Sequence, residues 1–255
     1  MALDINAIRN KLAKLQGKQT GTSYWRPAEN AESTVRMLSF KTEDGLPFKE
    51  FYFYYNIGKN RGILAPSQFG KPDPIQELIN NLRSDNSDES KELLKKLYPK
   101  MRVYAPVIVR GEEEKGVQIW GFGKQVYEQL YMLLADEDVG DFTDPYTGRD
   151  ITVSSNKTAG KQWASTAVRP KMKTSKLSTD ENQMKEWVAS VPETDTLFEL
   201  ESYEVISKKI NDWLNGTETD DSDGTSRNFE DDSDDTTSTS SSTFKSLDDA
   251  FSSLT

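Results

Sequence analysis

The spacing of apolar and polar residues changes several times along the chain, and each change marks an element. In "INAIRNKLAKLQ" (5–16), Ile5, Ile8, Leu12 and Leu15 recur at helical spacing, which predicts a short helix ended by "GKQTGTS". "STVRMLSF" (33–40) predicts a strand, and "FKEFYFYYNI" (48–57) a longer one, with "GKNRG" as a hairpin turn into "ILAP". "DPIQELINNLR" predicts a helix with Asp73 as N-cap and Pro74 at its first position. "SDESKELLKKLY" predicts a second, with Leu93, Leu94 and Leu97 inward.

Two strands, "RVYAPVIVR" and "GVQIWGF", follow, joined by the polar turn "GEEEKG". "KQVYEQLYMLL" is a helix with Val126, Leu130, Leu133 and Leu134 on its apolar side. "DITVSSN" and "KQWASTAVR" make a last pair of strands. In "LESYEVISKKINDWLNG" a helical stripe runs from Leu200 through Tyr203, Ile206, Ile210, Trp213 and Leu214 until Gly216 stops it. Beyond Gly216 the chain is Asp, Ser and Thr with little to bury, so disorder is expected there. The pattern is mainly β with α. It fits a small Greek-key barrel of the OB type, while a sandwich or another α+β fold fits nearly as well.

One strand raises a question of its own. Phe51, Tyr52, Phe53, Tyr54 and Tyr55 stand side by side, so Phe51, Phe53 and Tyr55 would line one face and Tyr52 and Tyr54 the other. A strand buried on both faces accounts for this. So does a strand with one core face and one open face, because tyrosines suit a wet surface and bases of single-stranded nucleic acid stack on them.

Composition narrows the chemistry. The 255 residues contain no cysteine and no histidine, which excludes disulfides, thiolate or imidazole metal sites and Cys- or His-based catalysis. No apolar run reaches the roughly 18–20 residues of a membrane span, and the N-terminus lacks the form of a signal peptide. The net charge of −10 is uneven: from Gly216 onward eleven acids face only Arg227 and Lys245, leaving the first 215 residues close to neutral. Between Ile151 and Thr179 stand Lys157, Lys161, Arg169, Lys171, Lys173 and Lys176, with Trp163 among them and no acid. A solvated face and an anion-binding track both fit such a run.

Two weaker motifs carry little. "GVQIWGFGKQ" lacks Walker spacing, and "TDDSDGTSRNFE" only partly matches a calcium loop. Asp141, Asp144 and Asp150 could be assembled into a metal-dependent nuclease, but their spacing reads as an ordinary loop.

Taken in order, "RNKLAKLQGKQTG", "YWRP" with "STVRMLSF", "LPFKEFYFYYNIG", "GKPDPIQELINNL", "VYAPVIVR", "GEEEKG", "VQIWGFGKQVYEQL" and "ESYEVISKKINDWLNG" resemble the single-stranded DNA-binding protein of T-even-type tailed bacteriophages and their marine relatives. The resemblance implies an OB barrel with a helical connecting subdomain and a C-terminal helix. It divides the chain into a basic self-association arm (1–20), a DNA-binding core (21–215) and an acidic partner-binding tail (216–255). It places Trp120 at an aromatic groove position, Lys124 at the lysine of the "FGK" junction, and Tyr104 near a family tyrosine. Many members hold zinc through His and Cys in the connecting subdomain. Here that place reads "NIGKNRGILAPSQFGKPDP", without either, so no zinc is expected and Pro66, Pro72 and Pro74 are expected to brace the loop.

The expected DNA-contacting set is therefore Tyr52, Tyr54, Lys59, Arg61, Tyr98, Lys100, Arg102, Tyr104, Trp120, Lys124, Lys157, Lys161, Trp163, Lys171 and Lys173. Arg9, Lys11, Lys14 and Lys18 would serve self-association along the strand. No enzyme activity, cofactor, metal or membrane partner is expected. The tail would compete with DNA for the groove and recruit replication and recombination proteins in the cytoplasm of an infected host. The alternative is an acidic-tailed adaptor that binds proteins and no nucleic acid.

Overall fold

The computed structural model describes residues 23–42, 44–57, 62–85, 87–160 and 164–216. The N-terminal helix expected over 5–16 and the tail beyond Gly216 lie outside the described residues. The described chain forms eight strands and five α-helices. In order these are β1 (Tyr24–Trp25), β2 (Ala31–Met37), β3 (Lys49–Tyr54), β4 (Ile63–Leu64), α1 (Pro74–Ser84), α2 (Asp88–Leu97), β5 (Lys100–Val109), β6 (Gln118–Phe122), α3 (Lys124–Ala135), β7 (Arg149–Asn156), β8 (Ser165–Thr174), α4 (Glu181–Ser190) and α5 (Tyr203–Leu214). Strand pairing is mostly antiparallel, with β1 and β6 parallel. No helix among the described residues is long and apolar enough to cross a membrane.

The chain divides into two units. The first takes the described residues up to Phe48, then Ala105–Gly121 and Tyr131–Leu197. Its strands follow the order β1-β6-β5-β2-β7-β8, to which β5 contributes its second half. Val35 sits opposite Val109 on one side and Ile151 on the other, and all three are buried. Trp25 meets Trp120 edge-on, with ring centroids 5.3 Å apart.

Arg36 lies next to the last residue of β2 and is fully buried. Burial pulls its pKa below the ordinary arginine range, and Asp150 opposes that pull. Its Nη1 donates to Asp150 at 3.3 Å and to Ser175 Oγ at 3.1 Å, and its Nη2 donates to the carbonyls of Ser175 and Asp144. Arg110 donates to the same carboxylate at 2.9 and 3.1 Å. A guanidinium survives in a sheet interior only with this kind of charge pairing and hydrogen bonding.

Helix α4 has no counterpart in the periodicity, because only Met184 and Trp187 on it are buried. Asp180 caps it, accepting from Asn182 N at 2.8 Å, and the helix packs with Leu38, Ile108 and Leu177.

The second unit takes Lys49–Tyr104, Phe122–Leu130 and the described residues from Phe198 onward. Here β3 pairs with β4 and with the first half of β5, setting Lys49 opposite Tyr104, Phe51 opposite Arg102, and Phe53 opposite Lys100. Tyr54, Ile63, Ile75, Leu78, Ile79, Leu82, Leu93, Leu97, Ile206 and Ile210 form one core that joins α1, α2 and α5 to the Tyr54 face of β3. On the opposite face Phe51, Phe53 and Tyr104 meet Phe198 edge-on, at centroid distances of 4.9–5.2 Å.

Asp73 ties this unit together. Its Oδ1 accepts from the amides of Ile75 and Gln76, capping α1, and its Oδ2 accepts from Tyr54 Oη at 2.8 Å and Ser67 N at 3.2 Å. The loop expected to be braced by three prolines is braced chiefly by this carboxylate. Pro66 and Pro74 are buried beside it and Pro72 is exposed.

Candidate nucleic-acid interface

In the first unit, β8 stands last in the strand order, so one long edge of it is unpaired in the sheet. β7 pairs with it over most of its length, with Thr152 opposite Arg169 and Val153 opposite Val168. Arg169 lies in the regular part of this ladder, and Lys171 and Lys173 fall between Pro170 and Thr174, where the register with β7 shifts. Space adds acids that the run from Ile151 to Thr179 lacks. Glu32 holds Arg169 at 2.8 Å, and Glu29 holds Lys157 at 3.1 Å. Lys171 and Lys173 are exposed and have no ion pair among the described residues, and Met172 between them is 90% exposed. Arg149 fastens this end of the strand, donating to the carbonyls of Met172, Asp138 and Val139.

The glycine-rich junction reads differently once placed. Trp120, in the first unit, is 2% exposed and offers no open ring to a base. Lys124, in the second, is exposed at the first turn of α3 and pairs with Glu128 at 3.6 Å.

Elsewhere in the second unit the aromatic strand sorts its rings. Phe51, Phe53, Tyr54 and Tyr55 are buried, and Tyr52 is 37% exposed. Tyr54 and Tyr104 are core residues, each with only 1% exposure, so neither presents a face for stacking. Burial, reinforced by its bond to Asp73, pushes the Tyr54 phenol well above its ordinary value. Gln68 fixes the strand at the exposed ring: Tyr52 N donates to its Oε1 at 3.2 Å, and its Nε2 donates to Tyr52 O at 3.0 Å. Phe69, next in the chain, is 41% exposed. Tyr98 is exposed too, and Arg83 lies over its ring at 5.4 Å from the centroid. Sequence reasoning missed Gln68, Phe69 and Arg83. A 3₁₀ turn over Pro66–Phe69 and a long-range ring contact leave no periodic signal.

Lys100 is half-buried, and Arg102 is buried on the face shared with Phe51. Lys59, Arg61, Lys161, Trp163, Arg9, Lys11, Lys14 and Lys18 lie outside the described residues. The three nuclease candidates are engaged in local structure. Asp141 caps Thr143, Asp144 accepts from Tyr146 N, Thr147 N and Thr147 Oγ1, and Asp150 is held by Arg36 and Arg110. The amide of Thr147 is the main reason the Asp144 carboxyl lies below the usual range.

A family model described as "gp32 DNA binding protein like" matches residues 29–229, from just before β2 through both units. The chain belongs to the gp32-like DNA-binding family. Single-stranded DNA binding is thereby supported at the level of the family. No curated protein matches the chain.

Proposed function

We propose that this gp32-like protein is a non-enzymatic, sequence-tolerant single-stranded DNA-binding protein that serves phage DNA replication, recombination and repair in the host cytoplasm. The observation that carries the reading is the exposed pair Lys171 and Lys173 on the edge strand β8, without an ion pair among the described residues, in a chain that belongs to a DNA-binding family. Its lysines would neutralise phosphates and release their counterions. Tyr52 and Tyr98, each with an exposed ring, would stack bases.

We read the strands as an OB-type barrel, residues 1–20 as the arm that docks on the next copy, and residues 216–255 as the tail that binds partners. The test is anisotropy titration of a labelled oligo-dT and of a duplex, at low and moderate salt. Preference for the single strand, weakening steeply with salt, supports the reading. Equal indifference to both DNAs, repeated on a protein ending at Gly216, moves the reading to the acidic-tailed adaptor.

A further inference from the structure

Glu50 stands two residues before Tyr52, so the alternation of β3 puts both side chains on one face. It is half-buried, and no cation pairs with it among the described residues. Its partners are two phenols of the second unit. Tyr127 on α3 donates to its Oε1 at 2.6 Å, and Tyr52 donates to its Oε2 at 3.4 Å. The first bond is short and anchors the carboxylate. The second is long, and it sets the carboxylate at the phenol end of the exposed Tyr52 ring. Burial, then the nearby carboxylate, raises the Tyr52 phenol above its ordinary value, so the ring meets Glu50 as a donor.

A negative charge without a cation, beside a stacking ring, works against a polyanion and calls for a role that phosphate does not fill. A base fills it. Each phenol occupies one lone pair of its oxygen and leaves the carboxylate further sites for donors. A base lying on the Tyr52 ring would carry its edge to the phenol end, where the carboxylate stands. The backbone beneath is held, because Gln68 bonds both the N–H and the carbonyl of Tyr52. Cytosine, adenine and guanine bring an exocyclic amino group to such an acceptor. Thymine and uracil bring none. Their one edge N–H lies between two carbonyl oxygens, which a carboxylate repels.

We propose that Glu50 reads the edge of the base stacked on Tyr52, accepting a hydrogen bond from an exocyclic amino group. The proposal rests on the single-strand reading above and adds a bias to it: a sequence-tolerant binder prefers amino-bearing bases at one position. Tyr127 then acts as a positioning residue, holding the carboxylate without touching the base.

The test compares labelled oligo-dC with labelled oligo-dU, whose bases share a ring and differ in carrying an amino group or a carbonyl. Both are titrated with the full-length protein and its Glu50→Gln and Tyr127→Phe variants, at mildly alkaline pH where cytosine is neutral. The parent should favour oligo-dC by about fivefold or more. Glu50→Gln keeps the side-chain length and an acceptor for Tyr127, but its amide also donates to the uracil carbonyl, so the preference should vanish or reverse. Tyr127→Phe should lower the preference and leave oligo-dU affinity close to the parent's. Loss of folding or of ring placement would weaken both oligomers together, so the ratio isolates the base edge.

An equal preference for oligo-dC in the parent and in Glu50→Gln would overturn the proposal. So would a rise in affinity for both oligomers alike in Glu50→Gln, which would show plain repulsion of phosphates. If the parent binds both oligomers without preference, the base-reading role falls and the single-strand reading stands. If it binds neither, the single-strand reading falls and this proposal with it.

Discussion

Tyr52 and Tyr54 are two residues apart, share one face of a strand, and have opposite fates. Tyr54 is closed in by α1, α2 and α5 and donates to Asp73, whereas the side of Tyr52 stays open. Tyr52→Ala should therefore weaken oligo-dT binding by about 1–3 kcal/mol with little change in melting temperature. Trp120→Ala should instead cost about 3–5 kcal/mol of folding stability, read by urea denaturation.

Asp73→Ala removes a cap and leaves a buried phenol without its acceptor, so a loss of about 2–4 kcal/mol is expected. The raised Tyr54 phenol also sets a pH dependence. Folding favours its neutral form, so this stabilisation is complete below the ordinary phenol value of 10.0 and is lost as pH climbs above it. Tyr54→Phe should flatten the alkaline fall in stability, measured by denaturant midpoints between about pH 8 and 11.

At the scale of elements, most helices could be read from the chain because their signals are local. Asp73 with Pro74 opens α1, and Ser87 accepts from Ser90 N to cap α2. Gly216, with φ of 65°, follows α5 as the closing glycine. α4 was missed because two buried residues make too thin a stripe, though Asp180 marks its start.

β8 shows the reverse. The positive run was plain in the sequence, but Glu32 on β2 pairs with Arg169, and Glu29 in the turn before β2 pairs with Lys157 just past β7; among the described residues Lys171 and Lys173 have no ion pair. Reversing both lysines to Glu should weaken oligo-dT binding uniformly across sequences and lower the salt slope by more than about 1.4. Gly148, just before β7, is a second elemental constraint. A Cβ there would lie 2.5 Å from the carbonyls of Asp144 and Phe142 and 2.9 Å from Arg36 Nη2. Gly148→Ala should destabilise the first unit, lowering its melting temperature.

For the whole molecule, charge is divided by position in the chain. The first 215 residues are nearly neutral and the stretch from Gly216 to the end carries about nine net negative charges. A protein ending at Gly216 should bind oligo-dT more tightly, most visibly at low salt, where the tail competes best. Unchanged affinity at every salt would remove the masking idea while leaving the proposed single-strand binding untouched.

The sequence by itself determined what is local: helices with their caps, strands with their alternation, the absence of thiol and imidazole chemistry, and the acidic end. These follow from neighbouring residues and composition, which need no tertiary partner. Tertiary structure alone decided which face of each strand is covered. It placed Trp120 and Tyr104 inside, left Tyr52 and Lys171 outside, and gave the buried Arg36 a carboxylate. Burial and charge pairing depend on residues distant in the chain, so no short-range pattern can encode them.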